Sequence, residues 1–190
     1  MSTYKVKIMR VITGTARGTR LRTLEGNDLR PTGEKVKEAV FSVLQFDIEG
    51  RRVLDLFAGC GQLGIEALSR GADSCTFVDS SQQAIAVIKD NLSAARLSDK
   101  AEVIKKDFNF FLETANKQYD IVFLDPPYHA GFYEKALCTL SPLMSDYGVI
   151  VCEHPCDVKV PEQAGDFYVA KTYRYGKVLV SLYRKKENTI

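Results

Sequence analysis

From residue 52 to residue 154, short apolar runs alternate with segments whose apolar residues recur at helical spacing. Strands that alternate with helices are joined by crossover connections and therefore pair in parallel. The alternation predicts an α/β fold on a mostly parallel sheet. The predicted strands are 52–57, 74–79, 101–106, 119–125 and 147–154, and the predicted helices between them are 63–70, 82–97, 108–115 and 132–143.

The C-terminal part of the chain departs from this alternation. Residues 166–185 contain two alternating runs joined at Tyr175 and Gly176, with no helical segment between them. This pattern is typical of an antiparallel hairpin. We therefore expect a mostly parallel, seven-stranded sheet that finishes with an antiparallel hairpin.

The N-terminal part carries a different pattern again. Residues 6–24 are interpreted as a basic β-hairpin, and residues 31–46 as a helix whose start suits a proline. We predict that residues 1–48 form an extension with this hairpin and helix, and that residues 49–190 form the main domain.

The composition argues against several classes of protein. No apolar run reaches the roughly eighteen residues of a membrane span, and the N-terminus lacks the apolar segment of a secretory signal. The five cysteines are odd in number and irregularly spaced, so we expect no disulfide framework. These features favour a cytoplasmic protein with no membrane partner.

The basic residues are concentrated near the N-terminus. Residues 1–37 carry a net charge of +6 and the whole chain carries +2, so the remaining residues carry −4. A basic segment on a mildly acidic body favours nucleic acid as a partner over an ordinary solvated surface. The nine basic residues are Lys5, Lys7, Arg10, Arg17, Arg20, Arg22, Arg30, Lys35 and Lys37.

A glycine-rich segment joins the first predicted core strand to a helix. Gly59, Gly61 and Gly64 have the spacing G-x-G-x-x-G. Glycines let a backbone turn tightly and approach a ligand closely, and the following helix offers unpaired N–H groups. In this strand–loop–helix context, the pattern favours a cofactor site over a plain turn.

Three acidic residues suggest which cofactor binds there. Asp79 ends the second strand, 20 residues after Gly59, where a carboxylate can accept hydrogen bonds from ribose hydroxyls. NAD and S-adenosylmethionine (AdoMet) both fit this feature. Asp55 before the loop, the small pair Ala58–Gly59, and Asp107 after the third strand favour AdoMet.

The sequence Asp-Pro-Pro-Tyr at 125–128 follows the fourth strand. The carboxyl ends of such strands form the ligand edge of an open α/β sheet. Two prolines make the turn stiff and leave carbonyls as acceptors, so Asp125 and the Pro126 carbonyl can hold the two N–H bonds of an aromatic amine. Tyr128 offers a ring on which a base can stack. These features favour methyl transfer to an amine over a simple turn.

Several motifs together resemble a known family, the RsmD-like guanine-N2 methyltransferases of 16S rRNA, within the class I AdoMet-dependent methyltransferases. The tetrad at 125–128 is similar to the [DNS]-P-P-[YF] motif of enzymes that methylate amino nitrogens. The matching segments are 9–14, 17–21, 30–32, 37–44, 55–72, 125–128, 153–154 and 174–176. Cys60 and Gln62 depart from the small residues expected in the glycine loop, and we expect cofactor binding to survive.

The resemblance implies a Rossmann-like fold, AdoMet as methyl donor, and N2 methylation of one guanine in 16S rRNA of the small ribosomal subunit. It also implies that the basic segment binds RNA, through Arg17, Arg20 and Arg22. No metal is implied, and we expect a monomer. The position of the guanine, and whether naked RNA or an assembled subunit is the substrate, stay open.

The resemblance also implies roles for individual residues. Those expected at the methionine end of the cofactor are Phe57, Ala58, Gly59 and Gly61, with Asp55 beside them, while Asp79 holds the ribose and Asp107 and Phe108 border the adenine. Asp125, Pro126 and Tyr128 are expected to handle the target amine and base, with Pro127 near the substrate. Arg30 and Thr32 are expected to close the site or contact RNA.

Other functions compete with this interpretation. A DNA amino-methyltransferase usually carries a target-recognition domain, for which the chain has little room. A release-factor glutamine methyltransferase has asparagine where this chain has Asp125. A non-catalytic RNA-binding assembly factor would not need Asp125 with the glycine loop and Asp79. Cys152, His154 and Cys156 could suggest zinc, but a fourth ligand is lacking nearby, so local packing is expected.

Overall fold

The structure is a computed structural model that describes residues 9–24, 31–127 and 131–186, with the backbone alone for Pro31 and Thr32. Two of the predicted site residues, Arg30 and Tyr128, lie outside the described residues, as do His129 and the first residues of the predicted N-terminal hairpin.

A single large sheet forms the centre of the molecule. Its strands lie in the order β5-β4-β3-β6-β7-β10-β9-β8, with parallel pairing from β5 to β7 and antiparallel pairing beyond it. The strands are β3 Arg52–Leu56, β4 Ser74–Asp79, β5 Ala101–Lys105, β6 Tyr119–Leu124, β7 Met144–Pro155, β8 Gln163–Ala164, β9 Phe167–Tyr175 and β10 Val178–Lys185.

The predicted mostly parallel sheet with a C-terminal antiparallel hairpin is confirmed. Its eight strands exceed the expected seven, because Gln163–Ala164 pairs with Phe167 and Tyr168 at the edge. A two-residue strand is too short to show an alternating pattern in the sequence. From β3 the chain adds β4 and β5 on one side of the sheet, and it then returns to add β6 and β7 on the other side. Open α/β sheets bind ligands in the crevice at such a switch in strand order, here between β3 and β6.

Helices cover both faces of the sheet. They are α1 Pro31–Val43, α2 Gln62–Ser69, α3 Gln82–Ala95, α4 Phe108–Thr114 and α5 Phe132–Leu140. The first core cluster unites apolar residues of α1, α2 and α3, and the second unites those of α4 and α5. Neighbouring strand residues alternate between them: Phe123 belongs to the first cluster and Leu124 to the second. Within the described residues, no helix is long and apolar enough to cross a membrane.

The N-terminal hairpin is present but short. Its strands, β1 Met9–Arg10 and β2 Arg20–Leu21, pair antiparallel with Met9 opposite Leu21. Met9, Val11 and Leu21 are buried in the first core cluster. The segment 9–22 therefore packs directly on the body of the protein. A domain boundary at residue 48 stays a prediction.

Candidate active site

The glycine loop follows β3 with an unusual backbone. Phe57, Gly59 and Gly61 all have positive φ, at 68°, 57° and 78°. Glycine adopts this region freely, but a phenylalanine there is strained, and such strain concentrates at functional sites. Gly61 immediately precedes α2, so the loop delivers the chain to a helix N-terminus.

Gly59 and Gly64 serve different purposes in this loop. A Cβ on Gly59 would meet no atom closer than 4.0 Å, so the first glycine borders open space. A Cβ on Gly64 would lie 2.3 Å from the Phe77 ring, so that glycine permits close packing of α2 on β4. Gly59 therefore leaves room beside the loop, a region we call the cradle, whereas Gly64 lets the helix pack against the sheet.

Asp79 lies at the end of β4 and holds the glycine loop. Its two carboxylate oxygens accept the N–H groups of Gly59 and Ser81, each at 2.8 Å. A carboxylate has about four acceptor positions, so two such bonds leave capacity for ribose hydroxyls. The carboxylate of Asp79 and the glycine loop, which were both predicted to bind the cofactor, are thus joined by a hydrogen bond.

Asp55 supports the same loop from inside. Its Oδ2 accepts the Gly64 N–H at 2.9 Å, and the residue is buried. Burial, together with the nearby charge of Asp79, raises the pKa of Asp55 to about 7. Contact between Asp55 and a cofactor stays a prediction.

An aromatic cluster lies beside the cradle. Phe57 and Phe108 have ring centroids 4.9 Å apart, and Phe132 lies 4.8 Å from Phe108. Asp107 begins α4 by accepting the N–H groups of Asn109 and Phe110. Phe132 was not predicted to join this cluster, because it is an ordinary first residue of a helix, more than twenty positions from Phe108 along the chain.

The cleft near the Asp-Pro-Pro turn lies between the sheet and two helices. Asp125 lines it and follows β6 directly, while Pro126 is buried and Pro127 is exposed. The lining residues are Phe123, Leu124, Asp125, Val151 and Glu153 from the sheet, Gly33, Val36, Lys37 and Val40 from α1, and Gln62 and Leu63 from α2. Glu153 belongs to the motif quoted at 153–154 but was assigned no role.

The basic segment is tied to the glycine loop by Asn91 of α3. Asn91 accepts the Arg22 N–H at 2.7 Å, and its Nδ2 donates to the carbonyls of Arg22 at 2.9 Å and Cys60 at 2.8 Å. Arg17, Arg20 and Arg22 are all exposed, and Arg22 forms an exposed ion pair with Asp90. The role of Asn91 was not predicted, because a polar residue in a helix carries no sign of a partner 69 positions away.

A buried carboxylate fixes the same segment at a second point. Glu66 of α2 accepts the N–H groups of Ile12 at 2.8 Å and Thr13 at 3.0 Å. It also pairs with Lys37 and Arg70. Burial lowers the pKa of Lys37, and the charge of Glu66 opposes that shift. The predicted RNA-binding segment is therefore anchored to α2 through the backbone of Ile12 and Thr13.

His154 has structural partners within the sheet. Its Nδ1 lies 3.2 Å from the carbonyls of Pro155 and Val158, and its Nε2 lies 3.0 Å from the Ser181 hydroxyl. Burial lowers the pKa of His154. Cys152 is buried and Cys156 is exposed. The described part of the chain contains no group of His, Cys, Asp or Glu side chains placed to hold a metal ion.

The sequence pattern of one protein family, described as conserved hypothetical protein 95, matches residues 9–184. The chain belongs to this family. YlbH of Bacillus subtilis is 41% identical over 94% of this chain and 100% of its own length. The ribosomal RNA small subunit methyltransferase D of Haemophilus influenzae is 42% identical over 70% of each chain. The protein is thus an RsmD-like methyltransferase.

Solved structures agree with this assignment. The yhhF protein of Escherichia coli is 30% identical and has a TM-score of 0.83, over 95% of this chain and 99% of its own. A more distant methyltransferase, solved in complex with SAH, has a TM-score of 0.68 at 17% identity, over 77% of this chain and 48% of its own. That second likeness concerns the fold alone.

Proposed function

We propose that the protein uses AdoMet to methylate the exocyclic N2 amine of one guanine in the RNA of the small ribosomal subunit. The observation that carries the proposal is the adjacency of the two halves of the site. Leu56 of β3 pairs with Leu124 of β6, so the glycine loop and Asp125 emerge side by side at one sheet edge. A methyl donor in the cradle and an amine at Asp125 would then meet.

The residues around the cradle fit AdoMet. Open space at Gly59 accommodates the methionine end, and Asp79 at the end of β4 suits the ribose hydroxyls. Phe57 supplies apolar surface at the methionine end, and Phe108, whose ring packs against Phe57, supplies it for the adenine, with Asp107 proposed at the adenine edge. When bound, the cofactor supplies a methyl group activated on a sulfonium. The chain's own residues position the acceptor and handle its proton.

Asp125 and the carbonyl of Pro126 are the proposed acceptors for the two N–H bonds of the amine. Fixed acceptors orient the nitrogen and favour the pyramidal geometry that attacks a methyl group. The nitrogen gains the new N–C bond as the sulfonium S–C bond breaks, with the neutral thioether as the leaving group. One N–H proton then passes from the cationic nitrogen to Asp125, which releases it to water. Tyr128 stays the predicted stacking platform for the base.

The names of the relatives support ribosomal RNA as the substrate. The methyltransferases D of Haemophilus influenzae and Escherichia coli are named for small-subunit ribosomal RNA. The exposed side chains of Arg17 and Arg20 suit phosphate contacts next to the site, and Arg30 and Thr32 stay proposed RNA contacts. We propose that the protein acts in the cytoplasm as a monomer, without a metal.

Mass mapping of ribosomal RNA tests this function. Small-subunit RNA from cells with and without the protein is digested and compared, and the purified protein is then supplied with AdoMet and the unmethylated RNA, naked or in subunit particles. We expect one N2-methylguanine to disappear without the protein and to return in vitro. Methyl transfer to adenine or cytosine of DNA, with none to ribosomal RNA, would contradict the proposal.

A further inference from the structure

Two carboxylates occupy neighbouring positions in the cleft. Leu124 of β6 pairs with Cys152 of β7 in parallel register, so Asp125 and Glu153 each come directly after this pair on two neighbouring segments of the chain. Leu124 and Cys152 both belong to the second core cluster. Because side chains alternate along a strand, Asp125 and Glu153 share the opposite face, and both line the cleft.

The backbone at Glu153 is held firmly. Glu153 pairs with Val180 of the antiparallel strand β10, and the preceding residue pairs with β6 on the other side. Val151 and Val180, which flank Glu153 on the same face, are buried in the first core cluster. A side chain on a central strand of this kind presents its carboxylate at a fixed place, as precise recognition requires.

The neighbouring polar groups favour a ligand that brings hydrogen-bond donors. Gln62 lines the same cleft, and its Oε1 is buried with no hydrogen-bond partner among the described residues. Buried acceptors without a partner are rare, and a ligand donor would satisfy this one. The ammonium of Lys37, also in the lining, donates to the Arg10 carbonyl at 2.8 Å and pairs with Glu66.

We propose that Glu153 recognises the N1–H of the target guanine, beside the N2 amine held by Asp125. This inference rests on the proposed function. On the Watson–Crick edge of guanine, N1–H and the N2 amine are adjacent donors, so two neighbouring carboxylates complement them. Adenine presents an unprotonated N1 next to its amine, which a carboxylate repels. Glu153 is therefore a residue that selects guanine over adenine.

The test replaces the target guanine with 2-aminopurine, which keeps the 2-amine but has an unprotonated N1. The base is built into small-subunit RNA at the mapped position and presented in the form, naked or in particles, that the wild-type protein methylates. We expect the wild-type kcat/KM to favour guanine over 2-aminopurine by about 100-fold or more, because the analogue leaves a polar group unpaired.

The variant Glu153→Gln separates recognition from other roles. Its amide can donate to an unprotonated N1, so the preference for guanine should fall by about tenfold or more, with AdoMet affinity within about threefold of wild type. Glu162→Gln, at an exposed position outside the cleft lining, serves as the matched control and should keep the wild-type preference.

The outcomes are distinguishable from a failure of the proposed function. If the wild-type protein methylates guanine and Glu153→Gln keeps the same preference, Glu153 does not read N1–H and the inference is wrong. A loss of AdoMet affinity at unchanged preference would place Glu153 with the cofactor and also overturn it. If the wild-type protein methylates no ribosomal guanine, the proposed function fails, and the inference with it.

Discussion

The carboxylate of Glu66 lies 3.6 Å from the ammonium of Lys37, with side-chain exposures of 0% and 1%. The pair joins α1 to α2, and the N–H groups of Ile12 and Thr13 satisfy the same carboxylate. A buried charge of this kind is tolerated only because it is paired and hydrogen-bonded. The pair is therefore a point where the N-terminal hairpin, the α1 helix and the core depend on one another.

Replacing Glu66 should destabilise the whole protein. Glu66→Gln leaves Lys37 as a buried charge without its counter-ion, and we expect the free energy of unfolding to fall by about 3–5 kcal/mol. Urea denaturation measures the loss. Glu102→Gln, in an exposed pair with Lys117, is the matched control and should cost less than about 1 kcal/mol. Equal effects of the two substitutions would contradict the structural role of Glu66.

Asp79 should govern cofactor affinity. AdoMet at about 100 times its Kd should stabilise the protein by about 2.7 kcal/mol, and NAD should not stabilise it. Asp79→Ala removes the acceptor for ribose and for the Gly59 N–H, so AdoMet affinity should fall about 10- to 100-fold. Calorimetry measures the Kd, with the exposed Asp73→Ala as control. Stabilisation by NAD and not by AdoMet would contradict AdoMet as the cofactor and favour NAD.

Asp125 should matter for turnover more than for cofactor binding. Its contact with the amine strengthens as the nitrogen becomes pyramidal, so Asp125→Ala should lower the rate of methyl transfer about 10²- to 10³-fold. Single-turnover transfer of a labelled methyl group to small-subunit RNA measures the rate, beside calorimetric AdoMet binding. Asp166→Ala, at an exposed position, is the control. A near-normal rate for Asp125→Ala would mean that the turn at 125–127 has only a structural role and takes no part in methyl transfer.

The exposed arginines of the N-terminal hairpin should set the salt dependence of RNA binding. Arg17→Ala and Arg20→Ala should each reduce the log–log slope of affinity against salt by about 0.7–0.9, because each removes one cation that neutralises a phosphate. Arg22→Ala should have a smaller effect, because Arg22 already pairs with Asp90. Filter binding across salt concentrations measures the slopes, with the exposed Lys100→Ala as control. Unchanged slopes would mean that these arginines are only solvated surface residues and contact no phosphate.

Asp55 should make stability depend on pH. Burial raises the pKa of Asp55 from 3.8 to about 7, so the folded protein holds a proton that the unfolded chain has released. The free energy of unfolding contributed by this group is therefore full below the unfolded pKa and falls as pH rises toward 7. In Asp55→Asn, the free energy of unfolding should no longer fall for this reason as pH rises. The amide oxygen keeps an acceptor for the Gly64 N–H.

The measurement for Asp55 is the difference in unfolding free energy between wild type and Asp55→Asn from pH 4 to pH 8, taken by urea denaturation. The difference isolates Asp55 from His154, whose lowered pKa acts on stability in the opposite direction across this range. A constant difference would mean that Asp55 is ionised in the folded protein throughout.

The sequence by itself determined the elements and the position of the glycine loop between β3 and α2. The strand-and-helix alternation, the hairpin at Tyr175 and Gly176, and the glycine loop were all predicted from neighbouring residues. Hydrophobic periodicity and turn chemistry act over a few positions, so they are visible in the linear order of residues. For the same reason the turn at Asp125 could be placed at the ligand edge before any contact was known.

Only the tertiary structure decided which distant residues meet. Asn91 joins Arg22 to Cys60, Glu66 holds the backbone of Ile12, 54 positions away, and Glu153 stands beside Asp125 through strand pairing. A single polar side chain belongs to no repeating sequence pattern, so its partner cannot be predicted from the sequence. Its position becomes informative when the parallel sheet, closed by crossover helices, brings remote segments to one edge. Local chemistry thus predicted the turn at Asp125, whereas long-range packing surrounded it with the cleft residues to which we assign substrate recognition.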